Sequence, residues 1–228
     1  MYCDNECEHP PPPTQFLPTR LIDIGKTENS RPRLVTTTSL IDEESPGLVK
    51  YAALSYCWGP REDAEQQVKT TWSNLHSFCQ EIPEEQLTPV IKDTFRVCRT
   101  LQIRYVWIAA LCIIQGCMED WPRESEVMGL VYYHSYLTIC PLSSHSCLES
   151  FLLPRQGVNI DFESSIRKEK RGFFTLRYDS NDVEYPSLSS SSWLDKDRTR
   201  STWDTRGWTL QENSFSPRLL FFGQSMVQ

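Results

Sequence analysis

The chain has 228 residues, 39% hydrophobic and 23% charged, the make-up of one globular domain able to bury a core without disulfide or metal staples. A net charge of -7 gives no electrostatic reason to expect nucleic acid or an anionic membrane surface as a partner. No apolar stretch approaches the roughly 20 residues that span a bilayer, so no membrane span is expected.

Met1 to Pro18 is polar and proline-rich, with a short polyproline stretch at Pro10–Pro13. It lacks the apolar segment of a secretory signal, which predicts a cytoplasmic protein with a flexible arm over 1–18 and a domain over 19–228. Cys3, Cys7 and His9 lie in this arm without a second ligand pair nearby, so their spacing does not make a zinc site. The nine cysteines are odd in number, and Cys57, Cys98, Cys112 and Cys140 sit inside apolar runs. Free buried thiols in a reducing compartment fit this pattern better than a disulfide framework.

Leu21–Ile24 and Arg33–Thr37 read as short strands separated by a turn region, Gly25 to Pro32. Tyr51–Trp58 reads as a buried strand stopped by Gly59-Pro60. From Pro89 the period changes. Ile91, Phe95, Cys98 and Leu101 recur at helical spacing, with Lys92, Asp93, Arg96 and Arg99 between them as the charged face. Tyr105–Ile114 is an apolar run expected to be a central strand buried on both faces. Glu124–Tyr136 reads as a helix, with Pro122 at its approach, and Leu137–Cys140 as another strand. Residues 150–200 lose periodicity and are expected to form an irregular insertion. Thr205–Asn213 reads as a short helix and Leu219–Phe222 as the last strand.

This alternation predicts an α/β fold: an open, mostly parallel sheet flanked by helices, flavodoxin-like in class, with an inserted loop region. Such sheets bind ligands beyond the C-terminal ends of their strands. The candidate segments are therefore Tyr56–Pro60, Cys112–Gly116 and Arg206–Glu212. Neither a Walker-type loop nor a GxGxxG fingerprint is present. Cys112 with His134 lacks a nucleophile motif, and a thiolate is disfavoured in an apolar run, so a cysteine-protease dyad is not expected.

Three blocks carry a family resemblance: YAALSYCWGP at 51–60, RYVWIAALCIIQG at 104–116 with DWPRESEVMGLVYYHSYLTI at 120–139, and RGWTLQENSFSPRLLFF at 206–222. In this order they resemble the fungal heterokaryon incompatibility (HET) domain. Such domains commonly begin longer fungal proteins, so the chain is expected to be a fragment. One departure stands out: the family pattern carries an aspartate where this chain has Ala109.

HET domains are in turn similar to TIR domains. The LSY of 54–56 parallels the end of the first TIR strand, and Trp208 with Glu212 parallels the tryptophan and catalytic glutamate of enzymatic TIR domains. The resemblance implies a cell-death effector that cleaves the nicotinamide–ribose bond of NAD when self-assembled, with NAD as substrate, no cofactor required, and an activating protein of unknown identity. It implies Glu212 as the catalytic carboxylate and the acid missing at Ala109 as its companion, which leaves this chain weak or inactive as an NAD nucleosidase. The alternative is a non-enzymatic scaffold that triggers death by recruiting partners.

The residues themselves fit the first reading in the following way. A Trp and a Glu four apart share one helix face, so the Trp208 indole can wall a pocket while Glu212 faces a sugar; the same spacing also suits a core anchor beside a surface acid. Arg206 suits bidentate phosphate binding. Ser55 and Tyr56 point to opposite faces of their strand, and each is either a ligand contact or a satisfied strand end. Trp58 and Gly59 shape the following loop, with Gly59 permitting a tight turn. Gln115 and Glu124 are candidate polar contacts, although Glu124 also suits the first turn of a helix, where an acid favours the dipole.

Overall fold

The computed structural model describes residues 16–27, 29–43, 49–153, 158–163, 171–176, 197–224 and 227. The Cys3/Cys7/His9 group, the polyproline stretch and most of the serine-rich part of 150–200 lie outside the described residues.

Besides a helical turn at 197–199 and two 3₁₀ turns, eight strands and eight α-helices occur in chain order among these residues. β1 (Arg20–Asp23) and β2 (Arg33–Thr36) are followed by α1 (Thr37–Glu43), β3 (Tyr51–Leu54), α2 (Arg61–Gln66) and α3 (Leu75–Gln80). Then come α4 (Pro89–Thr100), β4 (Tyr105–Trp107), α5 (Ala109–Cys112), α6 (Asp120–Glu126), α7 (Met128–Tyr133) and β5 (Leu137–Cys140). β6 (Val158–Glu163), β7 (Arg171–Leu176), α8 (Thr209–Phe215) and β8 (Leu219–Phe221) complete the set. No helix among the described residues is long and apolar enough to cross a membrane.

The main sheet has six strands in the order β2-β1-β4-β3-β5-β8. β4, β3, β5 and β8 run parallel, whereas β1 pairs antiparallel with both β2 and β4. The sheet is thus mixed but mostly parallel, an open α/β architecture. β1, β3, β4 and β5 are buried at every position, the near-continuous apolar signature of strands covered on both faces. The chain adds β4 on one side of β3 and then β5 on the other. The strand order therefore reverses at β3, and loops leaving neighbouring C-terminal ends diverge there to open a crevice.

Several boundaries differ from the sequence expectation. The run Tyr105–Ile114 is a strand only to Trp107 and then turns at Ile108 into α5. An apolar run has no period to distinguish a buried strand from a buried turn of helix. Here tertiary partners take the carbonyls that a longer strand would have paired in the sheet. Thr70 N–H donates to Ala110 O, Thr70 Oγ1 to Leu111 O at 2.6 Å, and Arg20 Nε to Cys112 O at 2.7 Å. The helix expected over Glu124–Tyr136 starts earlier, at Asp120, and breaks at Val127 into α6 and α7. Within the expected irregular region, β6 and β7 pair as an antiparallel two-stranded sheet.

Two buried carboxylates tie loops to this frame. Asp93, expected on the charged face of α4, is turned inward and only 2% exposed. Its Oδ2 accepts from Ser150 Oγ at 2.5 Å and from the amides of Phe151 and Leu152 at 3.0 and 3.1 Å, which anchors the segment after β5. Asp120 accepts from Arg20 Nη2 at 2.5 Å, from the Ile114 amide at 2.7 Å and from Arg123. Burial pushes the Asp120 carboxyl up, but the Arg20 and Ile114 hydrogen bonds and the two arginine charges outweigh it and hold the group below its usual value. Asp23 is also held low, with the Arg104 bonds at 2.8 and 2.7 Å outweighing burial.

Two expectations follow. Asp93→Ala removes the acceptor from two backbone amides and a hydroxyl and should lower unfolding free energy by about 3 kcal/mol, read from urea denaturation. Because Asp120 and Asp23 titrate lower in the folded chain than when unfolded, their stabilisation is complete above the unfolded value of about 3.9. It is lost as pH falls through the lower folded values. Asp120→Asn should therefore flatten the fall in urea midpoint between about pH 4 and pH 2; an equally steep fall would show that Asp120 takes no part in it.

Candidate functional site

A cavity of about 900 Å³ opens at the C-terminal edge of the parallel strands. Its wall is built from the loop after β3, the start of α5 after β4, helices α6 and α7, and the segment leading into α8. Of the residues singled out in the sequence, Tyr56, Trp58 and Gly59 line it from the first loop, Ala109 and Gln115 from the second. Arg206, Trp208 and Glu212 line it from the third segment.

Glu212 is the chemical centre of this wall. It lies on α8, 3% exposed, and its carboxylate accepts bonds from three side chains. Ser55 Oγ donates to Oε2 at 2.5 Å, and the Tyr132 hydroxyl to Oε1 at 3.2 Å. Arg206 grips both oxygens, Nη1 to Oε2 at 3.2 Å and Nη2 to Oε1 at 3.0 Å. Behind Ser55, the Trp203 indole donates to Ser55 Oγ at 2.6 Å and Ser55 O at 3.1 Å. A buried carboxylate is tolerated only when paired and hydrogen-bonded in this manner.

The charge controls its neighbours. Burial raises the Tyr132 phenol well above its ordinary value, and the Glu212 carboxylate raises it further. The Cys140 thiol, at the end of β5, is pushed up by the same two causes in the same order. Burial also raises Tyr56, whose hydroxyl donates to Gln67 Oε1 at 2.5 Å. Tyr132 therefore faces Glu212 as a neutral donor, and Cys140 beside it stays a neutral thiol.

The remaining positions have clear local origins. Gly59 has φ +86°, and a Cβ on it would lie 2.8 Å from the Ser146 side chain, so both conformation and space demand glycine. Gln115 folds back to donate to Ala109 O at 3.2 Å and Ile113 O at 3.1 Å, closing the α5 turn at the cavity rim. Trp208 immediately precedes α8, lines the cavity and stays 43% exposed. Trp121 joins it and Trp58 as a third aromatic wall.

Two expectations need correction in position. Ser55 does not line the cavity; it stands behind it and reaches Glu212 by its hydroxyl. Glu124 lies away from the cavity and beyond the first turn of its helix. It is 1% exposed, 3.5 Å from Arg20 and 3.3 Å from Arg123, part of the Asp120 ion cluster. Arg206 lines the cavity with its guanidinium paired to Glu212. Sequence reasoning missed Tyr132, Trp203, Trp121, Met128, His145 and Thr202. Tyr132 and Trp203 carry no local signal for their role, since their partners lie 80 and 148 residues away in the chain.

No group of metal-binding side chains occurs among the described residues. The seven described cysteines are free thiols. Burial pushes the Cys112 thiol up to about 12, which removes it as a nucleophile near neutral pH.

The family model of the heterokaryon incompatibility protein (HET) matches residues 51–212, from the first residue of β3 to the carboxylate at the cavity wall. No curated protein and no solved structure matches the chain. Because the match spans well over half of the 228 residues, the chain belongs to the heterokaryon incompatibility (HET) family.

Proposed function

We propose that this heterokaryon incompatibility domain brings about cell death by hydrolysing the nicotinamide–ribose bond of NAD when self-assembled, and that the cavity beneath Trp58, Trp121 and Trp208 is the site. The observation that carries this reading is the buried, fully hydrogen-bonded carboxylate of Glu212 in the wall of an aromatic-lined cavity large enough for a nucleotide. A surface acid on a convex face would instead have favoured a scaffold.

The chemistry asks for little more. The bond joins ribose C1′ to the pyridinium nitrogen. When it breaks, the nitrogen keeps the electron pair and nicotinamide leaves neutral, so no acid has to protonate it. Positive charge remains on the ribose, where a carboxylate stabilises it and binds the ribose hydroxyls. Water then bonds to C1′ and its proton passes to solvent. The three indoles offer faces for flat rings. Activation by self-association is supported by Leu130, Leu210 and Phe215, which are 47%, 74% and 45% exposed on α7 and α8. Ala109 lines the same cavity, so an aspartate at this position adds a second carboxylate to that space.

Glu212→Gln keeps the size and removes the charge. It should abolish nicotinamide release from NAD, measured on assembled protein, with near-UV circular dichroism confirming the fold. If the variant kills cells as well as the parent does, death follows from partner recruitment and the scaffold reading replaces this one. Ala109→Asp should raise both NAD cleavage and killing, and the gain should vanish when Glu212→Gln is combined with it. Higher killing with NAD left intact would also favour the scaffold.

A further inference from the structure

Glu212 has no acceptor position to spare. Two carboxylate oxygens offer about four lone-pair sites. Four N–H and O–H groups occupy them: Ser55 Oγ, the Tyr132 hydroxyl, and Nη1 and Nη2 of Arg206. A ribose hydroxyl that is to bind this carboxylate must displace one of them.

Two of the three side chains cannot withdraw. Ser55 and Tyr132 are 1% and 2% exposed. The Ser55 hydroxyl is itself held by the wholly buried Trp203 indole, and the Tyr132 ring packs edge-on against Trp107 at 5.7 Å. Dense packing leaves such groups no alternative rotamer. Arg206 is different. It caps the end of a 3₁₀ turn, Thr202–Thr205, lines the cavity, and its side chain is 26% exposed. Its long side chain can swing the guanidinium outward without moving the backbone.

We propose that Arg206 is an exchangeable ligand of Glu212: the phosphates of an entering nucleotide draw its guanidinium off the carboxylate, and the vacated lone pairs take the ribose hydroxyls. This rests on the reading of the cavity as a nucleotide-cleaving site. The exchange swaps one bidentate anion for another, for which a planar guanidinium is suited. At no stage is the buried carboxylate left short of donors, because the ribose replaces what the arginine removes. The arrangement selects substrates by their phosphates: a nucleotide bearing phosphate opens the carboxylate, and a nucleoside lacking it does not.

Two measurements test it. The first is calorimetric titration of the parent, Glu212→Gln and Arg206→Gln proteins with inorganic pyrophosphate. Removing the competing carboxylate charge should tighten pyrophosphate binding by about tenfold, and Arg206→Gln should abolish it. Equal affinity in the parent and Glu212→Gln proteins, or binding retained by Arg206→Gln, overturns the exchange. Should Glu212→Gln not fold, Glu212→Asp, which draws the carboxylate back from Arg206 by one methylene, serves in its place with tighter binding again expected. The second is nicotinamide release from NAD and from nicotinamide riboside, which lacks phosphate, measured in the Ala109→Asp background. Arg206→Gln should raise KM for NAD, improve cleavage of the riboside, and so reduce the preference for NAD by about tenfold. An unchanged preference overturns the exchange while leaving NAD cleavage standing. Nicotinamide released from neither substrate, with pyrophosphate binding as expected, overturns the NAD-cleaving reading and leaves the exchange supported.

Discussion

One buried carboxylate joins the end of β3, α7 and the segment leading into α8. Taking an ionised acid out of water costs several kcal/mol unless donors replace the lost hydration. For Glu212 those donors come from three separated places: Ser55 beyond β3, Tyr132 on α7, and Arg206 just ahead of α8. Trp203 adds a second rank by fixing Ser55. Trp203 also belongs to a small apolar cluster with Cys57, Cys140, Leu142 and Phe221, so the same segment is held by packing as well as by polarity. The sheet edge, α7 and the run from Trp203 to Glu212 thus share one polar junction, and a change at any member is felt by the others.

The same charge explains why this part of the cavity holds a single buried anion. Tyr132 and Cys140 are held protonated first by burial and then by Glu212. Under the proposed function, a lone carboxylate with neutral serine and tyrosine donors and indole faces around it matches a cation that develops on a bound sugar. Its partner Arg206 neutralises it at rest. Stability and function therefore make opposite demands on that arginine. Pairing it lowers the cost of burying Glu212, whereas the proposed NAD cleavage needs the carboxylate exposed to substrate.

Topology decides where this chemistry sits. The reversal of strand order at β3 separates the loops that follow β3 and β4 from the elements around β5. The early end of β4 matters equally. Because the chain turns at Ile108, Ala109 and Gln115 come to the cavity rim, with the α5 carbonyls satisfied by Thr70 and Arg20. Asp120, through Arg20 and the Ile114 amide, clamps the far side of that turn against β1. Glu124, which sequence alone makes a candidate ligand, belongs to this clamp.

Much of the fold is legible in local pattern. The alternation of short apolar runs with helical periods yields the α/β sheet, and the spacing of Trp208 and Glu212 places both on one segment facing the strand ends. Periodicity works here because burying a face repeats every few residues, and neighbours in sequence report it. It fails for Tyr105–Ile114, where burial on all sides erases the period, and for Asp93, whose charge suggests the outer face of α4 although three donors beyond β5 draw it in. The bonds that make the site are beyond the reach of any local signal: Ser55 meets Glu212 across 157 positions and Trp203 across 148. The sequence by itself determined which segments are buried and which loops gather at the strand ends. Only the tertiary structure decided which polar atoms meet, because each buried charge is satisfied by whatever donors the completed packing brings within about 3 Å.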